Sequence, residues 1–206
     1  SGFDYNNDHL ICLGDVCDGW PETRESINEL LKIGNLTYIL GNHDHWTLSW
    51  MKTGEINNGW LAQGGEATIR SYPSGVPEEH LQFLTDALPY YLLNNCLFVH
   101  AGIEPLMPLE QQGLDTFLWD RNLALKALEL YENKVTGKKL TQYEEVYIGH
   151  TPTSFDKPVN AGDVWLMDTG AGWEGVLSIM ETNTKEIYTS DPVPALYPGE
   201  RGRGSK

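Results

Sequence analysis

The stretch LGNHDHW, residues 40–46, stands at the end of a short apolar run, LTYIL at 36–40. A run of this length that ends at a glycine is typical of a buried strand. Asn42, His43, Asp44 and His45 follow directly. Such a cluster is either a polar turn or one part of a metal site, and a metal site needs further ligands elsewhere in the chain.

The residues before this stretch predict a β-α-β unit. HLICL at 9–13 indicates a strand, residues 22–33 have the apolar spacing of a helix that ends at Gly34, and 36–40 is the second strand. This alternation favours an α/β fold. We expect helices at 78–87 and 120–133, strands at 96–99 and 145–148, a second sheet from 164–167, 176–181 and 185–189, and irregular, glycine-rich chain after the motif, over 54–65.

Four of the predicted strands end at a polar side chain. In chain order these are Asp15, then Asn42 with His43, then His100, then His150. In α/β sheets, ligands bind beyond the carboxyl ends of the strands, so these side chains are expected to lie together. Carboxylate, amide and imidazole ligands suit manganese, iron or zinc.

The composition excludes some partners. The chain has 206 residues and a formal net charge of −15. We therefore expect neither nucleic acid nor an anionic membrane surface as a partner. Cys12, Cys17 and Cys96 are an odd number of cysteines without zinc-clip spacing. They indicate reduced thiols in a cytoplasmic protein, and we find no signal peptide or apolar stretch of membrane-spanning length.

Five motifs, taken in order, make the chain resemble the calcineurin-like metallophosphoesterases, in the branch of phosphoprotein phosphatases and diadenosine tetraphosphatases. They are LGDVCDGW (13–20), LGNHDHW (40–46), FVHAGIEP (98–105), FLWDR (117–121) and IGHTP (148–152). The resemblance implies a two-sheet β-sandwich flanked by helices, in four α/β/β/α layers. It also implies two divalent metals (Mn, Fe or Zn) and a hydroxide, shared by them, that attacks phosphorus.

The resemblance assigns roles to single residues. Asp15 would bridge the two metals, and three further ligands of the second metal would be Asn42, His100 and His150. His43 would be the general acid, oriented by Asp18. Arg121 would clamp the substrate phosphate through its planar fork, with Asn42 beside it.

The sequence departs from the family pattern at two places. The motif that usually reads Gly-Asp-x-x-Asp-Arg-Gly has Gly19 in place of the arginine, and Arg24 is expected on a solvated helix face. The opening Asp-x-His motif has no match before Asp15, since Asp8-His9 is wrongly spaced. We therefore expect an incomplete domain over 1–190, without its first strand and helix and holding one metal, and a flexible tail over 191–206.

The first choice of function is a metal-dependent phosphomonoesterase that acts on phosphoserine or phosphothreonine. The alternative is a dinucleoside polyphosphate (diadenosine tetraphosphate) hydrolase, and an alternative of another class is an inactive phosphate- or nucleotide-binding module. The substrate would be a phosphoprotein, a small phosphate ester or a nucleotide. Side chains around the site are expected to be structural: Asp44 and Asp168 as loop supports, Trp20, Trp46, Trp50 and Trp60 in packing more than in an aromatic wall, and His45 and His80 on the surface.

Overall fold

The structure is a computed structural model that describes residues 2–204. Within them the strands are β1 Leu10–Cys12, β2 Leu36–Tyr38, β3 Tyr90–Leu93, β4 Cys96–Val99, β5 Glu145–Ile148, β6 Val159–Ala161, β7 Val164–Leu166, β8 Ser178–Met180 and β9 Ile187–Thr189. Strands β1 and β2 pair in parallel, β8 and β9 form an antiparallel pair, and the others form a five-stranded sheet in the order β3-β4-β5-β7-β6.

The helices lie outside these sheets. They are α1 Thr23–Leu30, α2 Asn42–Thr53, α3 Asn58–Trp60, α4 Glu66–Arg70, α5 Glu78–Thr85, α6 Leu114–Trp119, α7 Asn122–Glu132 and α8 Val193–Leu196. A π-helical turn, Leu61–Gly65, joins α3 to α4, and Leu109–Gln111 is a 3₁₀ turn. No helix within residues 2–204 is both long enough and apolar enough to cross a bilayer.

Side chains of the five-stranded sheet point alternately to its two faces, and other elements cover both faces. One face packs on α6 and α7 through a core that includes Leu97, Val99, Val146, Ile148, Ala124 and Ala127. The other face packs on the smaller sheets, where Phe98 and Tyr147 meet Ile11 of β1. The outer face of β1 and β2 is covered by α2 and α5, so the layers run α/β/β/α as expected.

Three predictions for secondary structure differ from the fold. The chain after the motif at 40–46, including 54–65, was expected to be irregular, but α2 continues to Thr53, and α3 and the π-helical turn lie within 54–65. Helix α2 ends at Gly54 in the left-handed conformation, with φ of 74°. Strands β3 and β6 were not predicted. Strand β7 was expected in the second sheet but pairs in parallel with β5, because Val164 and Leu166 complete the core under α7.

The C-terminal segment also differs from the flexible tail expected over 191–206. Within the described part, α8 follows Pro192, and Tyr197 stacks on Trp20 with ring centroids 5.4 Å apart. The Arg203 side chain is only 10% exposed. The sequence pattern failed here because a Gly-rich, charged segment is ordered by contacts with distant residues and not by its own composition.

His80 was expected at the surface of a helix but is fully buried. Its Nδ1 lies 2.9 Å from the Tyr72 hydroxyl, and its Nε2 lies 2.9 Å from Asn28 Oδ1. Since the amide oxygen can only accept, Nε2 carries the proton and Nδ1 accepts from Tyr72. These two hydrogen bonds allow the polar His80 ring to be buried between its own helix, α5, and α1.

Burial lowers the pKa of His80 below its ordinary value. The unfolded chain takes up a proton near pH 6.5 and the folded chain does so only at lower pH, so the free energy of unfolding should fall as the pH drops below about 6.5. Urea unfolding at pH 7.5 and pH 5.5 measures this loss. His80→Gln should reduce it, whereas His45→Gln, at an exposed position, should not. Equal pH dependence in wild type and His80→Gln would contradict the assignment.

Candidate active site

Four strand ends meet at one point, two from the β1-β2 sheet and two from the five-stranded sheet. Strands β1 and β2 deliver Asp15 and the start of α2, and the parallel strands β4 and β5 deliver His100 and His150. The loops after β4 and β5 are joined by a hydrogen bond of 2.8 Å from the Gly149 N–H to the His100 carbonyl. The predicted meeting of these side chains is therefore present, although the strands belong to two sheets and not to one.

Asn42, His100 and His150 point their polar atoms at one another. Asn42 Oδ1 lies 2.9 Å from His100 Nε2 and 2.9 Å from His150 Nδ1. The two ring nitrogens are 3.2 Å apart, and Asp15 Oδ1 lies 3.5 Å from His100 Nε2. All three side chains are nearly or fully buried.

This cluster fits a divalent cation because lone pairs converge in it. His100 Nδ1 donates to the Leu13 carbonyl over 2.7 Å, so the neutral ring presents a lone pair at Nε2. Burial, together with the nearby Arg121 guanidinium, lowers the pKa of His150 to about 3, so this ring is neutral. Among residues 2–204, no three His, Cys, Asp or Glu side chains alone are placed to hold a metal. The donor set of His100 and His150 therefore includes the amide oxygen of Asn42, which lies 2.9 Å from a nitrogen of each ring.

His43 and Asp18 form a second unit beside the cluster. His43 Nδ1 lies 2.7 Å from Asp18 Oδ2, and that oxygen also accepts from Trp60 Nε1 over 2.7 Å. Thr68 donates to the other Asp18 oxygen over 2.7 Å. Because Asp18 is held by three partners, it fixes the His43 ring and leaves Nε2 for exchange with a bound molecule.

Asp44 supports the loops as expected. Its Oδ2 accepts from the N–H groups of Asp15 and Gly41, at 2.6 and 2.9 Å, and from the Tyr38 hydroxyl at 2.8 Å. Asp44 is fully buried, and burial together with the nearby Asp15 raises its pKa. One carboxylate thus ties the end of β1 to the start of α2.

Gly14 and Gly41 let these two loops touch. A Cβ at Gly41 would lie 2.6 Å from the Asp15 amide nitrogen and would overlap the Asp15 carboxylate. A Cβ at Gly14, whose φ is +91°, would lie 2.6 Å from the Gly41 amide nitrogen. Glycine is therefore required at both positions for Asp15 to reach the cluster.

Gly41→Ala is expected to lower the free energy of unfolding by about 1–3 kcal/mol, because the added methyl group must displace Asp15. Thermal unfolding of the variant measures the loss. Gly113→Ala is the matched control, since a Cβ there meets no atom within 4 Å. It should change stability by less than about 0.5 kcal/mol. Wild-type stability in Gly41→Ala would contradict the close approach of the two loops.

Three site residues hold left-handed backbone. The φ angles of Asp15, Asp18 and His150 are 64°, 75° and 60°. Such conformations cost about 1 kcal/mol or more for residues other than glycine and collect at functional sites. Their occurrence at the site indicates that side-chain placement outweighs backbone strain here.

A pocket of about 320 Å³ opens over the cluster. It is lined by Asp15, Asn42, His43, Gln63, Trp119, Arg121, His150, Thr151, Pro152, Asp168, Trp173 and Arg203. Arg121 is exposed, and its Nη1 donates to the His150 carbonyl and to Thr151 Oγ1, both at 3.2 Å. The pocket therefore places a guanidinium over a site that collects lone pairs, an arrangement suited to an anion such as phosphate.

A family model described as calcineurin-like phosphoesterase matches residues 2–184. The chain belongs to this family. Two curated proteins described as symmetrical bis(5'-nucleosyl)-tetraphosphatase are similar. The one from Pseudomonas fluorescens (strain SBW25) is 24% identical over 260 residues, which cover 95% of this chain and 90% of that protein. The one from Nitrosomonas europaea is 22% identical over 165 residues, 80% of this chain and 55% of that protein.

Solved structures share the fold of this calcineurin-like phosphoesterase. A crystal structure of a candidate diadenosine tetraphosphatase has a TM-score of 0.63 at 18% identity and covers 89% of this chain and 80% of that chain. A metallophosphoesterase from Sphaerobacter thermophilus has a TM-score of 0.54 at 16% identity, with 91% and 80% covered. The expected mixed α/β fold, with helices flanking the sheets, is confirmed.

Several residues of the phosphoesterase pocket were not expected from the sequence, and two of them contact predicted site residues. Arg203 reaches Asp15 from the C-terminal segment, with Nη1 2.9 Å from Asp15 Oδ2. Burial alone would raise the pKa of Asp15, but the Arg203 guanidinium and the hydrogen bond from the His43 N–H outweigh it and hold this pKa below its usual range. No local pattern around Arg203 signals this contact, which joins residues 188 positions apart.

Trp119 is the second unexpected residue, although the FLWDR motif contains it. It is 38% exposed at the pocket, and its ring packs edge-on against Trp46 at 5.0 Å and His150 at 5.8 Å. Of the tryptophans considered from the sequence, Trp46 touches His43 at 5.3 Å, Trp60 binds Asp18, and Trp20 and Trp50 pack elsewhere. Trp119 and Trp173 are therefore the tryptophans that line the pocket in the described part of the chain.

Proposed function

We propose that this chain is a metal-dependent phosphohydrolase that cleaves dinucleoside polyphosphates, with diadenosine tetraphosphate as the model substrate. The observation that supports the chemistry is the set of converging lone pairs of Asn42, His100 and His150 beside the His43–Asp18 pair. Support for the substrate comes from the two curated relatives, whose names both specify tetraphosphatases. The sequence alone favoured a phosphomonoesterase, and the comparisons favour its alternative.

Asn42, His100, His150 and the Oδ1 of Asp15 would hold a divalent metal, which supplies Lewis acidity toward a phosphoryl oxygen and toward water. The oxygen and nitrogen donors fit manganese, iron or zinc. Within the protein, the hydrogen bond from His100 Nδ1 to the Leu13 carbonyl orients that ring. The role of the chain at this point is to hold the four donors in place before the substrate arrives.

His43 would protonate the leaving group. Water adds to phosphorus and loses one proton to the solvent, while the bond from phosphorus to the leaving phosphate oxygen breaks. His43 Nε2 gives its proton to that oxygen and takes a proton back from the solvent before the next turnover. Asp18 stabilises the protonated ring through its contact of 2.7 Å with Nδ1. Arg121, at the pocket edge, would neutralise charge on the phosphoryl oxygens.

Trp119 offers a flat apolar surface beside the phosphate position. A partly exposed indole at a pocket is suited to stacking with a base, and such stacking contributes about 1–3 kcal/mol for each base. This feature favours a nucleotide over a phosphorylated peptide, whose serine or threonine side chain has no ring to stack. The partly exposed Trp119 indole therefore agrees with a nucleotide substrate, the class that the two relatives' names specify.

The test compares kcat/KM for diadenosine tetraphosphate, a phosphoserine peptide and p-nitrophenyl phosphate, each with Mn²⁺. We expect the dinucleotide to be preferred by about tenfold or more. Symmetrical cleavage gives ADP as the sole nucleotide product, which chromatography identifies. Preference for the phosphopeptide would restore the protein phosphatase as the better proposal. Binding of the dinucleotide without turnover would favour the inactive binding module.

Trp119→Ala should raise KM for the dinucleotide about 5- to 100-fold, in line with the loss of one stacked base. Hydrolysis of p-nitrophenyl phosphate should change little, since that substrate has no nucleobase. Trp119→Phe keeps a ring at the position and is the matched control. An equal effect of Trp119→Ala on both substrates would assign Trp119 to support of the loop and not to base binding.

The cellular location is a further part of the proposal. Cys12, Cys17 and Cys96 are unpaired, and burial raises the pKa of Cys12 to about 12. Three unpaired thiols, of which Cys17 is buried, fit a cytoplasmic protein. Labelling of the native protein with a thiol reagent should leave Cys17 unmodified and should modify the half-buried Cys96 faster.

A further inference from the structure

The Arg203 guanidinium is bound by oxygen atoms on one side of Asp15. Its Nη1 donates to Asp15 Oδ2 over 2.9 Å, and its Nη2 donates to the carbonyls of Asp15 and Cys17 over 3.2 and 2.8 Å. The side chains of Arg203 and Asp15 are 10% and 12% exposed, so the pair is shielded from water. A positive charge is thus placed against the carboxylate that lies 3.5 Å from His100 Nε2 in the cluster of Asn42, His100 and His150.

The path of the Arg203 side chain is built into the fold. A Cβ at Gly19 would lie 2.8 Å from Arg203 Cγ, and a Cβ at Gly172 would lie 2.9 Å from Arg203 Cδ. The Arg203 N–H also donates to the Gly172 carbonyl over 2.9 Å. Two glycines therefore form the walls of a narrow channel, and any larger residue at either position would exclude the arginine.

The two carboxylate oxygens of Asp15 face different partners. Its Oδ1 lies at the lone-pair cluster, 3.5 Å from His100 Nε2, and its Oδ2 is held by Arg203. The oxygens that Arg203 binds, one carboxylate and two carbonyls, are also ligands that a hard divalent cation accepts. A guanidinium on one oxygen of a carboxylate weakens the attraction of the other oxygen for a cation, and the two positive charges repel each other across a shielded site.

We propose that Arg203 is the resident counter-charge of Asp15 and competes with divalent cations for this carboxylate. The C-terminal segment then sets the cation affinity of the site: it weakens binding while Arg203 is seated and strengthens it when Arg203 is absent. This inference rests on the proposed metal site. It concerns a residue that none of the five motifs contains.

The experiment measures Mn²⁺ binding to the metal-free full chain by calorimetry, for wild type and Arg203→Gln. We expect Arg203→Gln to bind Mn²⁺ about tenfold or more tightly, since a unit positive charge beside the site has been removed. Thermal unfolding should show the complementary effect. The metal-free variant should be less stable than wild type, because the Asp15 charge is left without its partner, and Mn²⁺ should raise its Tm by more than it raises that of wild type.

Two further variants separate the effect from general changes of charge or fold. Arg201→Gln removes the same charge from an exposed position two residues earlier and should leave Mn²⁺ affinity at the wild-type value. Arg203→Lys keeps the charge and should stay within about threefold of wild type. If Arg203→Gln folds only with Mn²⁺ present, the cation has replaced the arginine, and the proposal is supported.

Three outcomes overturn the proposal. Mn²⁺ affinity unchanged or weakened in Arg203→Gln makes Arg203 a structural residue only, as does failure of this variant to fold at saturating Mn²⁺. If Mn²⁺ affinity is unchanged but inorganic phosphate inhibits hydrolysis less in Arg203→Gln than in wild type, Arg203 is a phosphate ligand instead. If wild type and Arg203→Gln both bind Mn²⁺ with the same affinity, the role of Arg203 is wrong but the proposed metal site stands. If neither protein binds any divalent cation, the proposed function fails with it.

Discussion

His43→Asn is expected to lower kcat for diadenosine tetraphosphate by about two to four orders of magnitude, the usual contribution of a positioned general acid. The His43 ring is buried, is fixed through Nδ1 by Asp18 at 2.7 Å and lines the pocket. Asparagine can keep a hydrogen bond to Asp18 but cannot carry a proton to the leaving oxygen. Steady-state kinetics with saturating Mn²⁺ measures the change.

The leaving group distinguishes proton donation from other roles of His43. p-Nitrophenolate departs without protonation, so His43→Asn should slow p-nitrophenyl phosphate much less than the dinucleotide. Mn²⁺ affinity should stay near the wild-type value, because His43 contributes no donor to the cluster of Asn42, His100 and His150. His9→Asn is the control, since His9 is also partly buried but binds Thr37 outside the pocket. Equal slowing of both substrates would remove His43 from the role of acid.

Asp15→Asn is expected to weaken Mn²⁺ binding by about a hundredfold or more and to abolish turnover. Asp15 is the carboxylate that approaches the cluster, and it also neutralises Arg203 through the contact of 2.9 Å. The substitution therefore removes an attractive charge and leaves a repulsive one uncompensated. Calorimetric titration with Mn²⁺ measures the loss of affinity.

The same substitution should destabilise the metal-free chain by about 3 kcal/mol, as expected when one partner of a buried ion pair is lost. Asp156→Asn removes the same charge at an exposed position and should affect neither property. Adding Arg203→Gln to Asp15→Asn should recover part of the stability, because the arginine no longer lacks its partner. Mn²⁺ affinity unaltered by Asp15→Asn would show that the cation binds elsewhere.

Much of the fold was predictable because the local patterns are strong. Strand β4 was predicted at 96–99 and strand β5 at 145–148, and both lie at those bounds. Each is a short run of consecutive buried residues bounded by polar or glycine-containing chain, which is typical of a buried strand. The start of α2 was less clear, since Asn42 and His43 are weak helix formers and the helix is held by Asp44 capping the Gly41 N–H.

The meeting of Asp15, Asn42, His100 and His150 was also predictable, because all four follow the carboxyl ends of buried strands, although the expected single sheet proved to be two sheets packed together. Their roles as ligands remain part of the proposed function. The buried His80 was not predictable, since its partners Asn28 and Tyr72 lie on other elements. A side chain's environment depends on what packs over it, and the helical pattern around residue 80 does not contain that information.

The sequence by itself determined which residues stand at the strand ends, because a buried strand followed by glycine fixes where the polar side chains begin. Only the tertiary structure decided that Arg203 is paired with Asp15 and that Trp119 forms a side of the pocket. The reason is physical: local spacing controls backbone conformation, whereas the seat of a long side chain depends on space left by distant residues. Gly19 and Gly172 leave that space for Arg203, and no periodicity in the C-terminal segment reports it.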